Sequence, residues 1–175
     1  MSSELGKVHV ITGPGKGKTT AAFGMALRAA GHGYRVCIVQ FLKTGATTGE
    51  VVAVRRIEGI EVRQFGSGRF IDPSNPSEED RRLAREAIAF AREKIERRAC
   101  DMLILDEVNT ALSLGLIDMV ALEAVIRARD RGVEIVLTGR DADRSIMEAA
   151  DYVSFIEDVK HPLSKGMGAR KGVEW

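Results

Sequence analysis

Six short apolar runs divide the chain: VHVIT (8–12), VCIVQF (36–41), IEVRQF (60–65), MLILD (102–106), VEIVLT (133–138) and YVSFI (152–156). Most are almost continuously apolar, the pattern of parallel strands covered on both faces rather than of a sheet with one wet side. Between them the period changes to that of helices. Residues 18–30 open at a glycine-rich turn and end at GHG (31–33), a glycine stop signal. The strongest helical pattern is 77–98, where Ala84, Ala87, Ile88, Ala91 and Ile95 form one stripe and the charges fall on a solvated face. Ser77 and Asp80 stand at capping-box spacing, with Asp in place of the usual Glu. Shorter helices fit 118–130 and 142–149. Strands alternating with helices predict right-handed βαβ crossovers, and hence a three-layer α/β fold around a mainly parallel sheet of about six strands. Two stretches break the alternation, GSGRFIDPSNP (66–76) and the tail 157–175. Both are expected to contribute to an active site, as long loops on a rigid scaffold often do.

The bulk numbers narrow the partners. A chain of 175 residues predicts a single domain over 1–175. Its net charge of +1 gives no basic excess, so no nucleic-acid partner is expected. No apolar run reaches membrane-spanning length and no charged-then-apolar leader is expected, which predicts a cytoplasmic protein. Cys37 and Cys100 adjoin apolar runs and read as reduced, buried thiols. His9, His32 and His161 show no metal-ligand spacing.

Between the first strand and the first helix lies TGPGKGKTT (12–20). Gly17, Lys18 and Thr19 supply the second half of the phosphate-binding pattern G-x-x-x-x-G-K-[ST]. The first glycine of that pattern falls on Thr12, and Gly13 and Gly15 come instead, so the turn is a variant. Its physics is still that of an anion site. Gly13, Gly15 and Gly17, with Pro14 and Lys16 between them, let backbone N–H groups converge on oxygen anions, and the helix opening at Lys18, Thr19 and Thr20 adds its positive end. Lys18 can reach terminal phosphates, the Thr19 hydroxyl can ligate Mg²⁺, and Lys16 places a second cation in the turn. A dinucleotide fingerprint fails, because Lys18 stands where its third glycine belongs. The fold expectation sharpens to a P-loop NTPase-like (RecA-like) one. Asp106 and Glu107 leave the carboxyl end of an apolar strand, the ligand edge of open α/β sheets, and are the candidate metal carboxylates. Glu107 could position a water for hydrolysis, and Arg140 in LTGR could serve phosphoryl transfer. No guanine motif of the N-K-x-D kind is present, which leans towards adenine. The residues alone leave a RecA-like ATPase or switch, a small-molecule kinase, and a reaction that keeps the phosphates whole as open readings.

Over nearly its whole length the chain resembles the P-loop class of ATP:corrinoid adenosyltransferases. The resemblance rests on TGPGKGKTTAAFGMALRAAGHG (12–33), VQFLKTG with GE following (39–45, 49–50), LILDEVNTAL (103–112), LTGR (137–140), AADYVSFI (149–156) and the ending VKHPLSKGMGARKGVEW. It implies transfer of the adenosyl group of ATP to the cobalt(I) of a corrinoid, with the whole triphosphate leaving. Mg²⁺ or Mn²⁺ would serve as cofactor, held by Thr19 and Glu107 with Asp106 nearby. Lys16 and Lys18 would stabilise the leaving charge, and Gly13 to Thr20 would cradle the triphosphate. Arg28 is implied on the nucleotide side, and Gln40 and Lys43 on the nucleotide or corrinoid side. The family binds its nucleotide reversed relative to other P-loop proteins. It typically carries G-F-T-W beside the corrinoid; here GSGRFIDPS leaves Phe70 and Ile71 as the apolar wall. The single tryptophan, Trp175, stands where the family has another aromatic. A homodimer, and a reductase or flavoprotein as electron source, are the implied partners.

Overall fold

The computed structural model describes residues 5–45, 48–129, 132–162 and 166–174. Expectations for Trp175 and for 163–165 of the tail lie outside the described residues. The elements run β1 (Val8–Thr12), α1 (Lys18–Gly31), β2 (Val36–Phe41), α2 (Gly49–Val54), β3 (Ile60–Phe65), α3 (Glu78–Glu96), β4 (Met102–Asp106), α4 (Val108–Ser113), α5 (Met119–Ala128), β5 (Glu134–Thr138), α6 (Arg144–Ala149) and β6 (Tyr152–Phe155). The six strands form one sheet in the order β3-β2-β4-β5-β1-β6, every pairing parallel. The α/β, mainly parallel, six-stranded expectation holds. The capping box that opens α3 is formed in full, and its predicted apolar stripe is buried.

Two apolar clusters sandwich the sheet. On one face Ala22, Phe23, Ala26 and Ala29 of α1 and Val51 and Val54 of α2 meet Ile11, Ile38, Ile104 and Val136. On the other face α3, α4, α5 and Ile146 of α6 cover Val10, Val39, Leu105 and Leu137. Near-continuous burial applies to the inner strands: β2, β4 and β5 are buried at every position. It fails at the edges, where β6 is exposed throughout and β3 alternates, because an edge strand lacks a neighbour and part of its cover. Helices α2 and α4 are not foreshadowed by the apolar pattern; at six residues each they are too short to display a helical period. Cys37 and Cys100 are free and buried, and burial pushes their thiols up to about 12 and about 11.

Strand register sets up the chemistry. Gln40 of β2 pairs with Gln64 of β3 and with Asp106 of β4. Leu105 pairs with Leu137, which sets Thr138 of β5 beside Asp106. A row of polar side chains therefore crosses four strands at the carboxyl edge of an otherwise apolar sheet.

Candidate active site

The turn after β1 is shaped from outside as much as from within. Gly13 and Gly17 are left-handed, with φ of 103° and 118°. A Cβ on Gly13 would lie 2.4 Å from the Ile156 carbonyl oxygen, and one on Gly15 would lie 2.4 Å from that of Glu157. Backbone packing against the segment after β6 thus demands glycine at both positions. One expectation needs correction: the Gly15 N–H is not free for an anion, since it donates to the Ile156 carbonyl at 2.8 Å. Thr12, standing where the usual pattern has glycine, is tied to the same region, its carbonyl accepting from Ile156 N at 2.8 Å and its hydroxyl from Ala142 N at 3.2 Å. The open donors belong to α1. Its N-cap is Gly17, no side chain caps it, and no acid lies in its first turn. The first N–H groups of a helix have no partner within it, so this end is left for an anion.

Lys18 is buried and donates to the carbonyls of Gly13 and Gly15, each at 2.7 Å. Burial lowers the pKa of its ammonium from the ordinary lysine value, opposed by the charge of Glu107. Lys16 extends from the turn to Glu174 in the tail at 3.0 Å. Glu174 also accepts from Arg170, and these bonds, with that from Lys16, pull its carboxyl down to about 2.

Asp106 is the hub of the second half. It is fully buried, and each carboxylate oxygen accepts two hydrogen bonds: Oδ1 from Thr19 (2.9 Å) and Thr138 (2.7 Å), Oδ2 from Gln40 and Lys43 (each 2.8 Å). Desolvation opposes its ionisation, but the Lys43 charge and the hydrogen bonds from Lys43, Thr138 and Gln40 outweigh it and hold the pKa below the usual carboxylate range. Gln40 is in turn held by Gln64 at 2.9 Å. Glu107 follows in the left-handed region (φ 65°), its N–H donating to Thr138 Oγ1 at 3.0 Å and its Oε2 accepting from Thr110 Oγ1 at 2.7 Å. Thr110 also receives the Arg140 N–H at 3.0 Å.

Among the described residues no group of three His, Cys, Asp or Glu could hold a metal by itself. The oxygens of Thr19, Asp106 and Glu107 nevertheless fit a hard cation that takes its remaining ligands from phosphates, the usual habit of Mg²⁺. Since Asp106 is engaged at both oxygens, Glu107 is the carboxylate with coordination to spare.

The turn and Glu107 share a cleft of about 790 Å³ that runs along α1 past Thr20, Phe23, Gly24 and Leu27, while Asp106 is buried outside its lining. The tail closes its far side with Gly172, Val173 and Glu174. Lys43, Glu107 and Arg140 line it, and Gln40 lies beneath, on the Asp106 side. Arg28 does not line it; it is exposed in the last turn of α1, about 15 Å along the axis from Lys18. Phe70, 94% exposed, and Ile71, packed against the core, also lie outside the lining. Sequence reasoning missed Thr138, Gln64, Thr110, Phe23, Leu27 and Glu174. The first two carried a signal: a polar residue stands last or next to last in the runs VCIVQF, IEVRQF, MLILD and VEIVLT.

A family model described as ATP:corrinoid adenosyltransferase BtuR/CobO/CobP matches residues 4–175. The chain is 38% identical over 173 residues to a corrinoid adenosyltransferase of Pseudomonas aeruginosa, covering 98% of this chain and 85% of that protein. It is 37% identical over 175 residues to one of Escherichia coli K12, covering 98% and 87%. It is 33% identical over 172 residues to the corrinoid adenosyltransferase CobA of Salmonella typhimurium, again covering 98% and 87%.

Proposed function

The chain belongs to the ATP:corrinoid adenosyltransferase family, and from that premise we propose that it transfers the 5′-deoxyadenosyl group of ATP to the cobalt(I) of a corrinoid, releasing triphosphate. The electron pair of cobalt(I) forms the carbon–cobalt bond, the C5′–O bond breaks, and its electrons leave with the triphosphate. Such a nucleophile needs no general base from the protein. It needs alignment, worth roughly 7–11 kcal/mol when two reactants are well oriented, and donors aimed at the charge gathering on the leaving group.

One observation carries the reading: the uncapped, lysine-flanked start of α1 and the Thr19–Glu107 oxygens open into one cleft that continues over Phe23, Gly24 and Leu27. A triphosphate can lie at one end while the nucleoside meets an apolar wall at the other. In this reading the N–H groups of Lys18, Thr19 and Thr20 hold phosphate oxygens. Lys18 exchanges the carbonyls of Gly13 and Gly15 for the triphosphate, and Lys16 exchanges Glu174. Thr19 and Glu107 hold Mg²⁺, with Asp106 orienting Thr19 from behind. Mg²⁺, when bound, neutralises the leaving charge. Phe70, exposed after β3, is available to a corrinoid arriving over the carboxyl edge. The reading extends, from the family, to a single 1–175 unit, a reversed nucleotide, a homodimer, an electron-donating reductase or flavoprotein, and a cytoplasmic place of work.

Anaerobic incubation with ATP, Mg²⁺ and chemically reduced cobalamin tests it. Adenosylcobalamin and intact triphosphate are expected, and chelation of the metal should stop both. ADP with free phosphate, or a phosphorylated acceptor, with no carbon–cobalt bond would overturn it.

A further inference from the structure

The corner between Thr19 and Asp106, beside the Thr19 hydroxyl assigned above to the divalent ion, is already held by a cation of the protein. Lys43 Nζ lies 2.9 Å from Thr19 Oγ1 and 2.8 Å from Asp106 Oδ2. Those two hydrogen bonds hold the ammonium, and the backbone that carries it is constrained. Leu42 is left-handed (φ 60°), and a Cβ on Gly66 would come within 2.5 Å of Lys43 N and 2.6 Å of Leu42 C. The stretch that carries Lys43 is therefore wedged against the start of the loop after β3. Asp106 cannot turn away to serve another cation, because Thr138 and Gln40 fix it from the other side. Lys43 also lines the cleft, so a displaced ammonium would enter the space that a triphosphate fills.

We propose that Lys43 is a built-in counter-ion that excludes free divalent metal from the Thr19–Asp106 corner and yields it only to metal arriving on a triphosphate. Two cations a few ångströms apart repel strongly, and the single charges of Asp106 and Glu107 fall short of the three that a divalent ion and an ammonium carry together. A triphosphate supplies the missing negative charge for the metal and a new partner for the ammonium. Lys43 is thus a positioning residue that makes metal binding conditional on nucleotide. The inference rests on the Mg²⁺–triphosphate reading above.

The test is Mn²⁺ binding to the full chain, followed by electron paramagnetic resonance, with Mn²⁺ alone and with Mn²⁺ plus tripolyphosphate. Lys43→Gln keeps a donor for Asp106 and removes the charge; Lys43→Arg keeps the charge. The wild-type protein and Lys43→Arg should bind Mn²⁺ alone weakly, and Lys43→Gln at least about tenfold more tightly. All three should bind Mn²⁺ with tripolyphosphate. Free Mn²⁺ binding no tighter in Lys43→Gln overturns the inference while leaving the triphosphate reading intact. Failure of wild-type protein to bind Mn²⁺ even with tripolyphosphate overturns that reading itself. If Lys43→Gln does not fold, wild-type protein with ¹³C-dimethylated lysines gives the answer by NMR. The Lys43 resonance, assigned by its absence in Lys43→Arg, should move with Mg²⁺ plus tripolyphosphate and stay still with Mg²⁺ alone. A resonance that moves with Mg²⁺ alone, or with neither, overturns the proposal.

Discussion

Helix α1 starts at Gly17 with no side-chain cap and no acid in its first turn, flanked by Lys16 and Lys18. Helix α3 starts at Ser77 with a complete capping box and Glu78, Glu79 and Asp80 in its first turn. Asp80 is bonded further by the Ser67 hydroxyl at 2.8 Å. Each helix presents the same unpaired N–H groups and the same positive end. In α3 the chain neutralises them itself. In α1 glycine and lysine leave them open and add positive charge. A helix start that no side chain caps, flanked by two lysines, is suited to receive a negatively charged ligand. Glu174, reaching Lys16 from the distant tail, is a partial and displaceable stand-in for one.

Four experiments bear on that contrast. Lys18→Ala should lower adenosyl transfer by about 10²–10³-fold, the usual loss when a donor to a developing charge is removed. It should also abolish the thermal stabilisation that tripolyphosphate gives the wild-type protein, read by differential scanning fluorimetry. Near-normal turnover would break the contrast at its strongest point. Glu107→Gln should cost about tenfold or more in turnover and recover part of it at raised Mg²⁺, as expected of a carboxylate in a metal site. A loss indifferent to Mg²⁺ would place Glu107 elsewhere in the reaction. Ser77→Ala should lower stability by about 1 kcal/mol, a fall of roughly 2–4 °C in the melting midpoint, with turnover within twofold of wild type. The smallest effect concerns Glu174. Its carboxyl, held by Arg170 and Lys16, should titrate by ¹³C NMR near 2 instead of at its ordinary 4.5. Because the folded value is depressed, the contact is complete above about 4.5 and is lost as the pH falls through about 2. Glu174→Gln should release Lys16 and tighten ATP binding a few-fold by calorimetry. Unchanged affinity would mean that the tail does not compete for the turn.

The contrast between the two helix starts is written locally, in GKGKTT and SEEDRR, which is why it is legible in the sequence. So are all six strands, since inner strands announce themselves as apolar runs. What the sequence conceals depends on pairing between distant segments. Gln40 and Lys43 are expected on the nucleotide or corrinoid side; register carries Gln40 to Asp106, 66 residues away. No local pattern reveals that Lys43 bends back onto the same carboxylate, because a left-handed Leu42 directs it. Arg28 lies on the same helix as Lys18 and next to Leu27, which lines the cleft, but the helical turn from one residue to the next puts it on another face, outside the lining. Phe70 stands out by resemblance to a family motif and lies outside this cleft, which Phe23 and Leu27 of α1 line.

The contact of Gly13 and Gly15 with Ile156 and Glu157 has a temporal consequence. The bend proposed to receive phosphate is pressed into shape by backbone some 140 residues downstream, beyond β6 at the sheet's margin. During synthesis from the amino end, the glycines emerge well before Ile156 and Glu157 and stay unsupported until those residues have been made and that marginal strand has docked. On the proposed function, competence to grip ATP therefore waits on the docking of β6. A truncated or half-folded molecule would possess the sequence of the site without its grip, and so could not draw on the nucleotide pool.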